Sequence, residues 1–297
     1  MIPFFGKMAA VSASRIFYWR KGEATQNFGD FFSELFVRKL MADPLKATQR
    51  GDIFRLVGSV IHDWQIKQDL KTLFWWRLYK YPTFKRTIVF WGCGARDYSP
   101  LPAKSLAHCL FLGVRGPLTR DVLKLPSDTT IGDPGFLFPL FHPRPGASPA
   151  GGPICVPHIL DPMDDESLQK ATGIGKVVRV SLPPDPDKIF EIADAITSAE
   201  FVLAGSLHAA ILACAYGVPF AFLDTGHIDC PFKWDDFAAS ISIPAVFVKN
   251  LREARGFYES VQSQIRKPQL LPILRNSPFI VREEMLRRAE QHDSTRQ

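Results

Sequence analysis

Between Ile154 and Val248, short apolar runs alternate with helical stretches, and this rhythm limits the fold more than any other feature. Strands are predicted at Ile154–Pro157, Val177–Leu182, Phe201–Ala204, Phe220–Leu223 and Ala245–Val248. Helices are predicted between them at Asp164–Ala171, Asp187–Thr197, Leu207–Tyr216 and Lys233–Ala239. Continuously apolar strands separated by helices belong to a mostly parallel sheet covered on both faces. The first half repeats the pattern more loosely. Its strand candidates are Arg15–Arg20, Asp52–Val60, Thr87–Trp91 and Leu110–Val114, with helices running to Leu40, after Val60 and over Leu118–Leu123.

Residues 139–152 concentrate proline and glycine, which marks a boundary. The expected organisation is an N-terminal Rossmann-like domain over 1–145, a second over 146–253, and a helical extension over 254–297 that can pack back on the N-terminal half. With 46% apolar and 22% charged residues, the chain is expected to be ordered throughout most of its length.

The formal charge of +6 suits an anionic partner. Zinc-finger spacing, an RNP-like strand and a basic tail are all missing, so nucleic acid is not expected. Five scattered cysteines without a CxxC pair suit a reducing compartment, and no Cys/His cluster calls for a metal. No apolar run approaches a bilayer span, and Met1–Lys7 lacks the pattern of a secretory signal. A cytoplasmic location is expected. Phe74-Trp75-Trp76-Arg77, with Lys71, Lys80, Lys85 and Arg86, reads first as a helix with a solvated basic face. Its alternative is a peripheral contact with the inner face of the membrane.

Ligands of open parallel sheets bind beyond the carboxyl ends of the strands. The polar and glycine-rich groups of this chain recur at such ends. Ala204-Gly205-Ser206-Leu207-His208 joins a strand to an apolar helix. Ser206 is placed to cap that helix, its N–H groups and dipole suit an anion, and His208 lies in the first turn with a titratable proton. The bland alternative is a simple cap beside a hydrogen-bonded histidine. Arg115 ends a strand, and Arg120 lies early in the next helix, where a cation opposes the dipole unless a carboxylate such as Asp121 or a ligand pairs with it. Gly29 in Asn27-Phe28-Gly29-Asp30 permits a close backbone approach. Asp30 there is either a base or sugar ligand, or a cap shared with Asn27. Gly58-Ser59, Gly92 and Gly94 also permit close approach, and Asp133 and His158 stand at further strand ends. Neither GxGxxG nor GxxxxGK[ST] is present, which argues against dinucleotide enzymes and P-loop NTPases. Trp91, Tyr98 and Trp234 are either sugar-stacking platforms or core residues.

Together these motifs resemble the polysaccharide pyruvyl transferase family, and within it the exopolysaccharide ketal-pyruvate transferases. The matching elements are Asn27-Phe-Gly-Asp30, Trp91-Gly-Cys-Gly94, Val114-Arg-Gly-Pro-Leu-Thr-Arg120, Gly132-Asp-Pro134, Ser206-Leu-His208 and Ala213-Cys-Ala-Tyr-Gly-Val-Pro219. Ala209 stands where many relatives have glycine. The resemblance implies two Rossmann-like domains facing a cleft, as in GT-B glycosyltransferases. It implies transfer of pyruvate from phosphoenolpyruvate to two hydroxyls of a sugar in an exopolysaccharide or lipid-linked precursor, giving a cyclic ketal, with no cofactor. His208 falls on the family's catalytic histidine and Arg115 on its anion-binding arginine, while Asp30 and Asp133 match acidic positions. Asn27, Gly29, Gly92, Gly94, Arg120, His158, Gly205 and Ser206 are the accompanying substrate-binding candidates. The alternatives are a GT-B-like sugar-nucleotide glycosyltransferase and a non-catalytic scaffold in glycan assembly.

Overall fold

The computed structural model describes residues 16–18, 25–49, 51–77, 87–144, 151–183 and 185–295. The chain forms two compact α/β units. The first comprises Met1–Trp19, Phe32–Pro134 and Gln269–Gln297; the second comprises Arg20–Phe31 and Gly135–Pro268.

In the first unit, strands Ile53–Arg55, Ile88–Cys93 and Cys109–Val114 form a parallel sheet in that spatial order. Parallel bridges from Ile16 to Phe54 and from Ile131 to Val114 extend it at both edges. Ile53, Ile88, Phe90, Cys93 and Val114 pack with Ile61, Ile66 and Leu123 in one core cluster. A buried ion pair fixes helix Asp63–Arg77 to the sheet: Arg55 donates through Nη2 and Nε to the two Asp69 carboxylate oxygens, at 2.5 and 3.1 Å.

The strand Met41–Ala47 was not expected from sequence. It pairs antiparallel with Phe279–Val281, in an irregular register. Asp43 and Pro44 break the alternation that would announce a strand, and the partner lies far along the chain. The same C-terminal stretch reaches the parallel sheet, because the Trp91 indole N–H donates to the Ile273 carbonyl at 2.8 Å.

In the second unit, five parallel strands lie in the order Phe247–Val248, Phe220–Leu223, Val202–Ala204, Ile154–Val156 and Lys176–Val177. The helices fall close to their expected positions: Asp165–Thr172, Pro186–Thr197, Leu207–Tyr216 and Pro231–Ser240. Asp164 caps the first by accepting from the Ser167 N–H at 2.8 Å. Leu207–Tyr216 is buried along nearly its whole length, as its uniformly apolar sequence requires.

The single strand expected over Val177–Leu182 is divided. Lys176–Val177 stays in the sheet, whereas Ser181–Leu182 pairs antiparallel with Gln26–Asn27. Arg179, between them, is held by the Asp165 carboxylate and the Met163 carbonyl, which turns the chain out of the sheet. This two-stranded ribbon carries residues 27–31 into the second unit.

Trp91 and Trp234 are core residues, each about 1% exposed, and Trp234 packs on Phe222 and Phe247. Tyr98 is 62% exposed. Among the described residues, no helix is long and apolar enough to cross a membrane. Arg15, Trp19 and Arg20 of the first expected strand lie outside the described residues, as do residues 145–150 of the proline-rich boundary. The basic aromatic segment also lies outside them, from the side chains of 72–77 through residue 86.

Candidate functional site

The second unit gathers several of the expected residues at the carboxyl ends of its strands. Ala204 ends a central strand, and the N–H groups of Gly205 and Ser206 both donate to the carbonyl of Val156 on the neighbouring strand, at 2.8 and 3.1 Å. The approach at Gly205 is tight: a Cβ there would lie 3.0 Å from His158 N and 3.2 Å from Pro157 Cα. Ser206 has the extended N-cap conformation but makes no side-chain capping bond. An anion at this helix terminus would therefore meet N–H groups beyond Ser206, since the first two are engaged by the sheet.

His208 lies in the first turn of this helix and is 8% exposed. Its ring packs against the backbone of Gly29. A Cβ at position 29 would fall 1.9 Å from Nδ1, 2.4 Å from Cγ and 2.7 Å from Cε1. At Gly29 the backbone closely approaches His208. Phe28 anchors the turn through complete burial, and its N–H donates to the Val180 carbonyl at 3.0 Å. The Phe31 N–H closes the turn onto the Asn27 carbonyl at 3.1 Å, and the Asn27 amide donates to Asp30 Oδ2 at 2.5 Å. Asn27, Gly29, Asp30 and His208 therefore belong to one constellation.

His158 follows the adjacent strand. Its Nδ1 accepts from the Leu160 N–H at 3.3 Å, which leaves Nε2 to carry the proton of the neutral ring, 3.7 Å from Asp229 Oδ2. Burial, reinforced by the nearby Lys233 charge, lowers its pKa to about 4. At neutral pH the contact with Asp229 is therefore not an ion pair. The carboxylate instead pairs with Lys233 Nζ at 2.7 Å. His227 stacks obliquely beside His158, with centroids 5.4 Å apart. Sequence reasoning missed Asp229 and Lys233 as part of this group; their i, i+4 spacing was the available signal.

In the first unit, Arg115 follows strand Cys109–Val114 and is 1% exposed. Its N–H continues the ladder to the Cys93 carbonyl at 3.0 Å, while Nη1 donates to Ser59 Oγ at 2.8 Å and Nη2 points to the Ala95 carbonyl at 3.4 Å. Gly94 makes room for the guanidinium, since a Cβ there would lie 2.0 Å from Nη2. Gly92, at φ +70°, serves a different purpose: it lets the chain pass Pro134, whose Cδ would lie 2.3 Å from a Cβ. Asp133 is 1% exposed and lies close enough to Cys93 to raise its thiol pKa, second only to burial, while Arg115 acts on the same thiol in the opposite sense. Arg115, Gly94, Ser59 and Asp133 thus share one neighbourhood.

Arg120 is engaged elsewhere. Its guanidinium pairs with Asp121, with contacts at 3.0 and 3.1 Å, and reaches the Ser127 carbonyl. This carboxylate resolves the conflict with the helix dipole. Among the described residues there is no group of three or more His, Cys, Asp or Glu that could hold a metal ion.

The profile of the polysaccharide pyruvyl transferase family matches residues 56–227, more than half of the chain, including both Arg115 and His208. The chain belongs to the polysaccharide pyruvyl transferase family. No curated protein and no solved structure matches it. Family membership gives this polysaccharide pyruvyl transferase relative a coarse activity: pyruvyl transfer to a sugar or glycan.

Proposed function

We propose that the chain transfers the pyruvyl group of phosphoenolpyruvate to two hydroxyls of one sugar, forming a cyclic ketal and releasing phosphate. The observation that carries this reading is the family match spanning residues 56–227. The packing of Gly29 against His208 supports an acid role for the histidine, because it holds the ring in one position. The braced guanidinium of Arg115 supports a clamp for the donor's carboxylate or phosphate.

In the proposed sequence, His208 protonates C3 of phosphoenolpyruvate, the double bond is lost and C2 becomes electrophilic. One sugar hydroxyl attacks C2. The C2–O bond to phosphate breaks, and the second hydroxyl closes the ring on the same carbon. Two hydroxyl protons are released: one replaces the proton given to C3, and the other leaves with phosphate. Asp30, held by Asn27, is the assigned base or hydroxyl ligand, and Asp133 is assigned to orient the donor site. The proposal includes a GT-B-like fold class, a lipid-linked or exopolysaccharide acceptor and a cytoplasmic location.

Purified protein incubated with phosphoenolpyruvate and a panel of glycan and glycan-lipid acceptors should release phosphate and yield an acceptor with the mass gain of a pyruvate ketal. Phosphate release without that product, or neither result with an acceptor shown to bind, rejects the reading. Turnover of a nucleotide sugar instead identifies a glycosyltransferase.

A further inference from the structure

Six large apolar side chains stand exposed among the described residues, and three of them, Trp64, Tyr98 and Leu106, belong to neighbouring loops and helix ends of the first unit. The other three, Leu160, Val246 and Ile280, are single aliphatic residues distributed elsewhere. Trp64 is 63% and Tyr98 62% exposed, unusual for aromatic rings of this size.

Several bonds draw these segments together. The Ile61 N–H donates to the Gly94 carbonyl at 3.2 Å, and the Gly94 N–H donates to the Gly58 carbonyl at 3.0 Å. Ile61 and Ala95 form a parallel bridge. Beyond it, His62 Nδ1 accepts from the Trp64 N–H at 3.2 Å while Nε2 lies 3.5 Å from Asp97 Oδ2. Asp97 also accepts from the Ser99 N–H at 2.8 Å, which fixes the turn that presents Tyr98. Ser105 Oγ donates to Asp63 Oδ1 at 2.5 Å, bringing the Leu106 segment to the start of the Trp64 helix. The bases of the two aromatic loops are Ser59 and Ala95, the residues that the Arg115 guanidinium contacts.

We propose that Trp64 and Tyr98 form a stacking platform for a pyranose ring of the acceptor glycan, beside the arginine assigned to the donor. The faces of pyranose rings carry C–H groups that pack on aromatic faces, while their hydroxyls stay available at the ring edge. This suits a neutral sugar more than the charged donor, because the platform offers ring surface and the donor's charge is met by Arg115. The assignment rests on reading the chain as a transferase acting on a glycan, and it adds the residues that hold the acceptor.

Binding and turnover separate the two ideas. Saturation-transfer NMR and calorimetry, performed without phosphoenolpyruvate, would compare the wild-type chain with Trp64→Ala, Tyr98→Ala and the double variant. The probes are gluco-, galacto- and manno-configured oligosaccharides, with Val246→Ala as an exposed apolar control. Saturation should pass from aromatic protons to sugar ring protons in the wild type. Each single variant should weaken binding roughly three- to tenfold, and the double variant more, with the control unchanged. In turnover, KM for the acceptor should rise while KM for phosphoenolpyruvate stays constant. A panel in which no sugar binds the wild type, or one that binds the double variant equally well, overturns the platform. Glycan binding that depends on both rings in a chain that makes no ketal overturns the reaction and leaves the platform standing.

Discussion

The backbone at Gly29 lies against the His208 imidazole so closely that a methyl group at position 29 would fall 1.9 Å from Nδ1. No other residue type fits there without displacing the ring or the turn. The glycine sets the position of the group assigned to donate the proton.

Gly29→Ala should therefore lower kcat by at least tenfold while destabilising the chain by only about 1–3 kcal/mol, the usual cost of overpacking. Steady-state kinetics and chemical denaturation measure the two effects. Full activity in a folded Gly29→Ala variant would show that the ring position is not critical.

Gly94 gives a parallel test in the first unit. Gly94→Ala places a methyl 2.0 Å from Arg115 Nη2, so the guanidinium must move. KM for phosphoenolpyruvate should rise on the order of tenfold, and Arg115→Lys, which keeps the charge but loses the fork, should do the same. Unchanged donor kinetics in both variants would remove the clamp from the mechanism.

The Arg55–Asp69 pair is buried on both sides, with side chains 6% and 4% exposed. Removing one partner leaves an isolated charge in the core, so Arg55→Leu should cost about 3–5 kcal/mol. Replacing both partners with apolar residues of similar volume should recover much of that loss. Urea titrations of the single and double variants decide the matter.

His158 makes stability depend on pH. Its folded pKa, about 4, lies below the ordinary value of 6.5, because burial and Lys233 disfavour the protonated ring. Between those values the unfolded chain binds more protons than the folded one, so stability falls as pH drops from about 6.5 towards 4. His158→Asn should flatten this part of the profile in thermal melts from pH 7 to pH 5. An unaltered slope would assign the dependence to other groups.

The sequence made the second unit's sheet largely legible, because its strands are short apolar runs and each helix is separated by a recognisable turn. Phe220–Leu223 and Leu207–Tyr216 fall where the pattern puts them. The Met41–Ala47 strand was hidden by Asp43 and Pro44, and its pairing with Phe279–Val281 depends on tertiary contact alone. At the candidate site, the residue types at strand ends were readable, including His208, Arg115 and Gly29. Their partners were not. Whether Gly29 faces solvent, substrate or a histidine is set by the ribbon that pairs Gln26–Asn27 with Ser181–Leu182, and no local pattern encodes that pairing. Asp229 and Lys233 escaped notice because an acid and a base four residues apart usually decorate a surface, whereas this lysine is 7% exposed.

The interleaving of the two units bears on how the protein is made. All segments of the second unit have been synthesised once the chain reaches Pro268, whereas the first lacks Gln269–Gln297 until translation passes beyond that point. On the ribosome, the unit that holds Arg115 must therefore wait for its last segment, with the acceptor of the Trp91 indole bond still to emerge, while the unit that holds His208 can already close.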